Sequence, residues 1–196
     1  VTAADTYYSG SNTICFSTSG DFTGAPSGAT QVTQSNYKTA IDTYKGTGKR
    51  LLFRAGETFT ASGTTSITYD GPSQISSFGS GADAKFIIPT GQRVLSIGNS
   101  SSQGFGDLAV YDIEMDGQLV TNTSAITGDG SYDQVTFLRV NVHDHTNGYT
   151  LSPSILDYWN NNGDPGHTIW DQWALIDTRQ NNINNGVEAG GFGGAY

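Results

Sequence analysis

Between residues 112 and 145 the sequence gathers side chains able to move protons or hold cations: Asp112, Glu114 and Asp116, then Arg139, then His143-Asp144-His145. Elimination of a proton beside a carboxylate needs a base and a cation to neutralise the enolate-like charge that develops. His143 or His145 could carry protons near neutral pH, with Arg139 as the neutralising charge. Hydrolysis of an acetal would instead need two carboxyl groups at acid/base separation, for which the candidates are Asp112 with Asp116 or Asp144. The competing structural reading is that Arg139 simply pairs with Asp112, because stacked opposite charges stabilise sheets.

Read as one strand, Asp112, Glu114 and Asp116 share a face at intervals of about 6.5 Å. Hard oxygen ligands of that kind could hold Ca2+, although no complete calcium loop is present. His143 and His145, at i and i+2, fall on one face of a strand of their own, with no third transition-metal ligand evident from spacing. The long stretch from His143 to His167 carries Tyr158 and Trp159, whose rings could stack on sugar faces, and the Asn141 amide could bond hydroxyls.

These groups need a scaffold, and the apolar residues around them describe one. Leu108, Val110, Ile113 and Met115 step by two, three and two; Val135, Phe137, Val140 and Val142 repeat those steps 27 residues later. Thr168, Trp170, Trp173 and Leu175 repeat them after 33 more. Such a pattern is two short strands joined by a bend, and it can stack on itself once per coil. Stacked in this register, Asp112 lies beside Arg139 and Gln172, Glu114 beside Asn141 and Ala174, and Asp116 beside His143 and Ile176.

The rest of the chain agrees with winding. Residues 5–10 read as a short strand and turn, and residues 17–31 as a loop. Val32, Tyr37, Ala40, Ile41 and Tyr44 share one side of a helix capped by Thr33 or Ser35 and ended by Gly46. Residues 49–59 form a strand broken at Ala55-Gly56, and short strands follow at 67–69, 74–79, 86–88 and 94–97. Few Asn-Gly-type hairpin signals appear; Asp116-Gly117 and Asn147-Gly148 are the candidates, which disfavours a β-sandwich.

Composition narrows the partners. With 35% hydrophobic residues, 14% charged residues and 26 glycines, the chain suits many short strands and turns in a single domain spanning 1–196. Residues 1–93 carry a formal charge of +1, whereas residues 94–196 carry −10, with only Arg139 and Arg179 basic. So acidic a face repels phosphate, which excludes nucleic acid and anionic membrane as expected partners and favours cations or neutral glycans. Cys15 is the only cysteine, so no internal disulfide is available and the thiol is expected to be buried. Abundant Thr, Ser, Asn and Tyr suggest a secreted, extracellular protein.

Asp5-Thr6-Tyr7-Tyr8, the helix near 32–46, Leu51–Phe59 and Ile75–Gly81 together resemble the N-terminal region of secreted right-handed parallel β-helix proteins of the pectate-lyase-like superfamily. The resemblance covers most of residues 5–145. It implies an all-β right-handed parallel β-helix with one N-terminal capping helix. It also implies a carbohydrate-active protein, a polysaccharide lyase or glycoside hydrolase or a fragment of one. Such proteins usually continue for further coils, so the C-terminal end is expected to be uncapped. The alternative reading is a non-enzymatic extracellular structural or adhesion module that self-associates end to end through that coil.

Overall fold

The computed structural model describes residues 7–98, 105–128, 132–151, 174–183 and 185–189. Strand β1 (Thr13–Ser17) and β2 (Thr30–Thr33) precede helix α1 (Tyr37–Tyr44). The chain then makes five passes of three strands each. These are β3 (Arg50–Arg54), β4 (Thr58–Thr60) and β5 (Thr65–Ile67); then β6 (Ser73–Phe78), β7 (Ala84–Ile87) and β8 (Arg93–Ile97). Next come β9 (Phe105–Tyr111), β10 (Ile113–Asp116) and β11 (Ser124–Gly128), followed by β12 (Tyr132–Leu138), β13 (Asn141–His143) and β14 (Asn147–Leu151). The fifth pass is β15 (Ala174–Ile176), β16 (Arg179–Asn181) and β17 (Asn185–Ala189).

Each pass adds one strand to each of three parallel sheets. Sheet A runs β15-β12-β9-β6-β3-β1-β2, sheet B runs β16-β13-β10-β7-β4, and sheet C runs β17-β14-β11-β8-β5. The result is a solenoid-like stack of parallel sheets with the eight-residue helix α1 and a short 3-10 turn at Gly10–Asn12, in which equivalent positions of successive passes lie in columns. In sheet A the registers chain Ile14, Leu51, Ile75, Val110, Phe137 and Leu175 into one such column. Sheet B aligns Phe59, Phe86, Met115, Val142 and Gln180. Apolar members of both columns join one core cluster. Each buried Leu, Ile or Phe there contributes about 1.5–3 kcal/mol relative to exposure.

The two-three-two spacing has a backbone cause. At the corner leading into each of β10, β13 and β16 one residue takes a left-handed conformation: φ is 56° at Asp112, 53° at Arg139 and 49° at Asp177. One such residue turns the chain from sheet A into sheet B and consumes the extra position between two period-two strands. Ladder bonds continue through the corner, from Asp112 N–H to the Leu138 carbonyl (3.2 Å) and from Arg139 N–H to the Ile176 carbonyl (2.9 Å).

Helix α1 lies against β4 and β5, at the end of the stack where these are the edge strands of sheets B and C. It buries Tyr37, Ala40 and Ile41. The Tyr37 ring stacks on Phe86 at 4.4 Å between centroids, and Phe86 meets Phe53 edge-on at 4.7 Å. The cap is Asn36, whose side chain accepts from Thr39 N–H at 3.0 Å, and not Thr33 or Ser35. Those two precede the helix because β2 and an extended link carry the chain as far as Asn36.

Three further expectations change. Tyr7 and Tyr8 lie in a helical turn, not a strand, and the first strand is Thr13–Ser17. The expected loop 17–31 contains the start of β2, and its remainder packs Phe22, Ala25 and Ala29 onto Cys15, Leu52 and Phe78 outside sheet A. Cys15 is buried there as expected, and burial pushes its thiol up to about 12. Asn147-Gly148 is strand, within β14, and not a turn.

The third repeat is displaced by five residues from its expected register. Leu175 pairs with Phe137 rather than Val142, and the true partners of Asn141 and His143 are Arg179 and Asn181. Thr168, Trp170 and Trp173 of the expected repeat lie outside the described residues; in the described part the motif reads Leu175, Thr178, Gln180. Its second half is polar, so an apolar pattern selects the wrong frame.

Candidate functional site

Sheet B presents its alternate residues outward. Inward positions of β10 and β13 are Ile113, Met115 and Val142, all fully buried. Glu114, Asp116, Asn141 and His143 therefore occupy the other face, with Glu114 in register with Asn141 and Asp116 with His143, as the sequence suggests. One pass earlier, Lys85 of β7 is in register with Glu114.

These side chains form one connected group. Lys85 Nζ lies 2.7 Å from Glu114 Oε1 and 3.4 Å from Asp116 Oδ2. His143 Nε2 lies 3.0 Å from Glu114 Oε1, and its Nδ1 lies 2.8 Å from Asp144 Oδ2 and 3.8 Å from Asp116 Oδ1. Asn182 Nδ2 donates to Asp144 Oδ1 at 2.6 Å, which extends the group to the fifth pass. Burial disfavours the imidazolium, but the Asp144, Glu114 and Asp116 carboxylates outweigh it and raise the His143 pKa above its ordinary value. Lys85 is likewise raised, chiefly by its bond to Glu114, and Asp144 is lowered by His143 and Asn182.

A second group stands at the sheet A–B corner. Arg139 grips Asp112 with two bonds, Nε to Oδ1 at 2.6 Å and Nη2 to Oδ2 at 2.9 Å. Asp83, directly before β7, feels Asp112, Glu114 and Arg139. Burial and then the two carboxylates raise its pKa, so Asp83 keeps its proton to higher pH than an ordinary aspartate.

The structure thus separates some expected companions. Asp112 does not share a strand face with Glu114 and Asp116, because its left-handed backbone breaks the alternation and turns it to Arg139. Nor does the alternation run from His143 to His145: β13 ends at His143, Asp144 has φ 60°, and His145 is 3% exposed. His145 Nε2 lies 3.2 Å from the Met115 carbonyl, and burial pushes its pKa down to about 4. Tyr158 and Trp159 lie outside the described residues. Lys85, Asp83 and Asn182 escape the sequence reading. Ala84-x-Phe86 matches Ile113-x-Met115 and is the signal that places Lys85 outward; a strand started at Phe86 hides it.

Glu114, Asp116 and His143 each offer one ligand atom, all within 4.8 Å of one another. They do not suit calcium, which takes six to eight oxygens. One donor is nitrogen, and Lys85 already supplies a cation to both carboxylates.

No family model, curated protein or solved structure matches the chain in comparisons with known proteins.

Proposed function

We propose that this chain is a right-handed parallel β-helix, akin to the pectate-lyase-like proteins, that is secreted and cleaves an extracellular polysaccharide on the outward face of sheet B. The handedness follows the strong general preference of parallel β crossovers. The observation that carries the activity is the connected group Lys85, Glu114, Asp116, His143 and Asp144, spread across three successive passes beside Asp112 and Arg139. Strands about 4.8 Å apart hold these groups on a rigid lattice, which is the preorganisation that acid–base chemistry on a long polymer requires. His143 and Asp83 are the proton carriers of this reading, and Asp112, Asp116 and Arg139 the charged groups around the reacting bond. The Asn141 amide, in register between Glu114 and Arg179, contacts substrate hydroxyls.

The test is turnover of a panel of neutral, amino-sugar and uronate polysaccharides, reading reducing ends for hydrolysis and unsaturated ends for elimination. Cleavage by the wild-type chain, lost on Glu114→Gln and His143→Gln with the far-UV spectrum unchanged, supports the reading. Absence of cleavage on every member of the panel overturns it.

A further inference from the structure

The face proposed above as the site has its cations already engaged. Lys85 is held by Glu114 and Asp116, and Arg139 by both oxygens of Asp112. His143 is held between Glu114 and Asp144. Around them the carboxyl groups are in excess: Asp83 and Asp177 both act on Arg139 in addition to Asp112. Six carboxyl groups (Asp83 and Asp177 with the four that bind Lys85, Arg139 and His143) thus accompany four basic groups, Lys85, Arg139, His143 and Arg179 of the adjoining strand.

We infer that the substrate of this face is a glycan without carboxylates, its sugars uncharged or carrying amines, and that it is cleaved by hydrolysis. The inference rests on the reading of the face as a polysaccharide site. A uronate carboxylate arriving here would compete with Asp112 for Arg139, or with Glu114 and Asp116 for Lys85. It would do so inside a field of its own sign, within the roughly 8 Å over which salt at physiological strength leaves charges visible to one another. Uncharged rings meet no such barrier, and the Asn141 amide and the carboxylates accept and donate to hydroxyls without breaking an ion pair.

Reaction type follows from substrate type. β-Elimination requires an activating carboxyl group next to the proton removed, and a sugar without one offers no such proton. The remaining route breaks the glycosidic C–O bond with water. The hydroxyl of water goes to the anomeric carbon, and a proton goes to the leaving oxygen. Asp83, which the register of Ala84 with Ile113 places beside Asp112 at the corner, gives that proton. The one proton that water loses goes to a carboxylate of the same group, from which exchange with solvent restores both.

Isothermal titration of the whole chain with cellohexaose, xylohexaose, chitosan hexamer and hexagalacturonate tests this. The expected result is that at least one of the first three binds about tenfold or more tighter than hexagalacturonate, a difference of about 1.4 kcal/mol. Asp177→Asn, an exposed change, is expected to narrow that ratio, and any cleavage releases saturated reducing ends. Tighter binding of hexagalacturonate, or unsaturated products from it, overturns the inference while leaving a polysaccharide site intact. Binding and cleavage of none of the four, or of any member of the larger panel, overturns the inference together with the reading on which it rests.

Discussion

Arg139 and Asp112 occupy the same corner of successive passes, both with left-handed backbone, and the guanidinium closes a two-bonded fork on the carboxylate beneath it. Aspartate tolerates that backbone better than most residues; arginine has no such advantage and accepts a strain of about 1–3 kcal/mol. The ion pair offsets part of this strain, but both groups reach solvent, which limits the pair to about 1 kcal/mol or less.

Substitution at residue 139 separates the two effects. Arg139→Asn removes the ion pair but suits the backbone, and its unfolding free energy from urea titration is expected to stay within about 1 kcal/mol of wild type. Arg139→Val loses the pair and adds a β-branched side chain in the left-handed region, with a further loss of about 1–3 kcal/mol. Equal midpoints for the two variants would show that the corner conformation is not what residue 139 contributes.

His143 makes the stack pH-sensitive in one direction. Its folded pKa is raised by Asp144, Glu114 and Asp116 against burial, with Lys85 and the buried His145 as the cationic or ionisable groups opposing it. Its stabilising contribution is complete below the unfolded value near 6.5 and disappears as pH rises through the higher folded value. The stability gap between wild type and His143→Gln should therefore shrink between slightly acid and alkaline pH. Lys85→Gln removes an opposing cation, so the His143 ring protons followed by NMR should titrate at still higher pH.

His145 acts in the opposite sense and in a different window. Its folded pKa of about 4 lies below the unfolded value, so the stability it confers as a neutral group is present above pH 6.5 and is lost as pH falls towards 4. The full span is on the order of 3 kcal/mol. Replacing His145 with Leu costs stability at neutral pH, because the Met115 carbonyl loses its donor. The same change flattens the acid limb of stability against pH. A variant whose acid limb stays as steep as that of wild type would assign the limb to other groups.

Much of this architecture is legible in the apolar residues. Val135, Phe137, Val140 and Val142 stack on Leu108, Val110, Ile113 and Met115 in the register that their spacing implies, because burial on a parallel stack repeats column by column. Legibility ends where the column stops being apolar: Gln180 occupies the place of Val142, and the third repeat slips. The site divides in the same way. Asp112 beside Arg139, Glu114 beside Asn141 and Asp116 beside His143 follow from register alone, whereas the closer contact of His143 with Glu114 is diagonal. The corner that turns Asp112 away from Glu114, and the turn that buries His145, depend on single left-handed residues that hydropathy does not mark.

The final prediction concerns how closely the passes approach. Gly117 N–H donates to the His143 carbonyl at 3.0 Å, and a β-carbon added at Gly117 would lie 2.3 Å from the Asp144 carbonyl oxygen and 2.8 Å from the His145 α-carbon. Both obstacles are backbone, so neither can yield by a change of rotamer. Gly117→Ala must push the fourth pass away from the third at the point where Asp144 and His145 leave the sheet. The expected loss is about 2–4 kcal/mol, in the range of overpacked or strained backbone sites. Because Asp144 moves with that backbone, its contact with His143 loosens as well, and the His143 pKa should fall towards its ordinary value in the same variant. Gly56→Ala is the control. It sits at φ 79° with open space around it, so it carries conformational strain but no collision, and it lies far along the chain from His143. A Gly117→Ala protein as stable as wild type, with His143 titrating unchanged, would mean that the third and fourth passes are not in this contact.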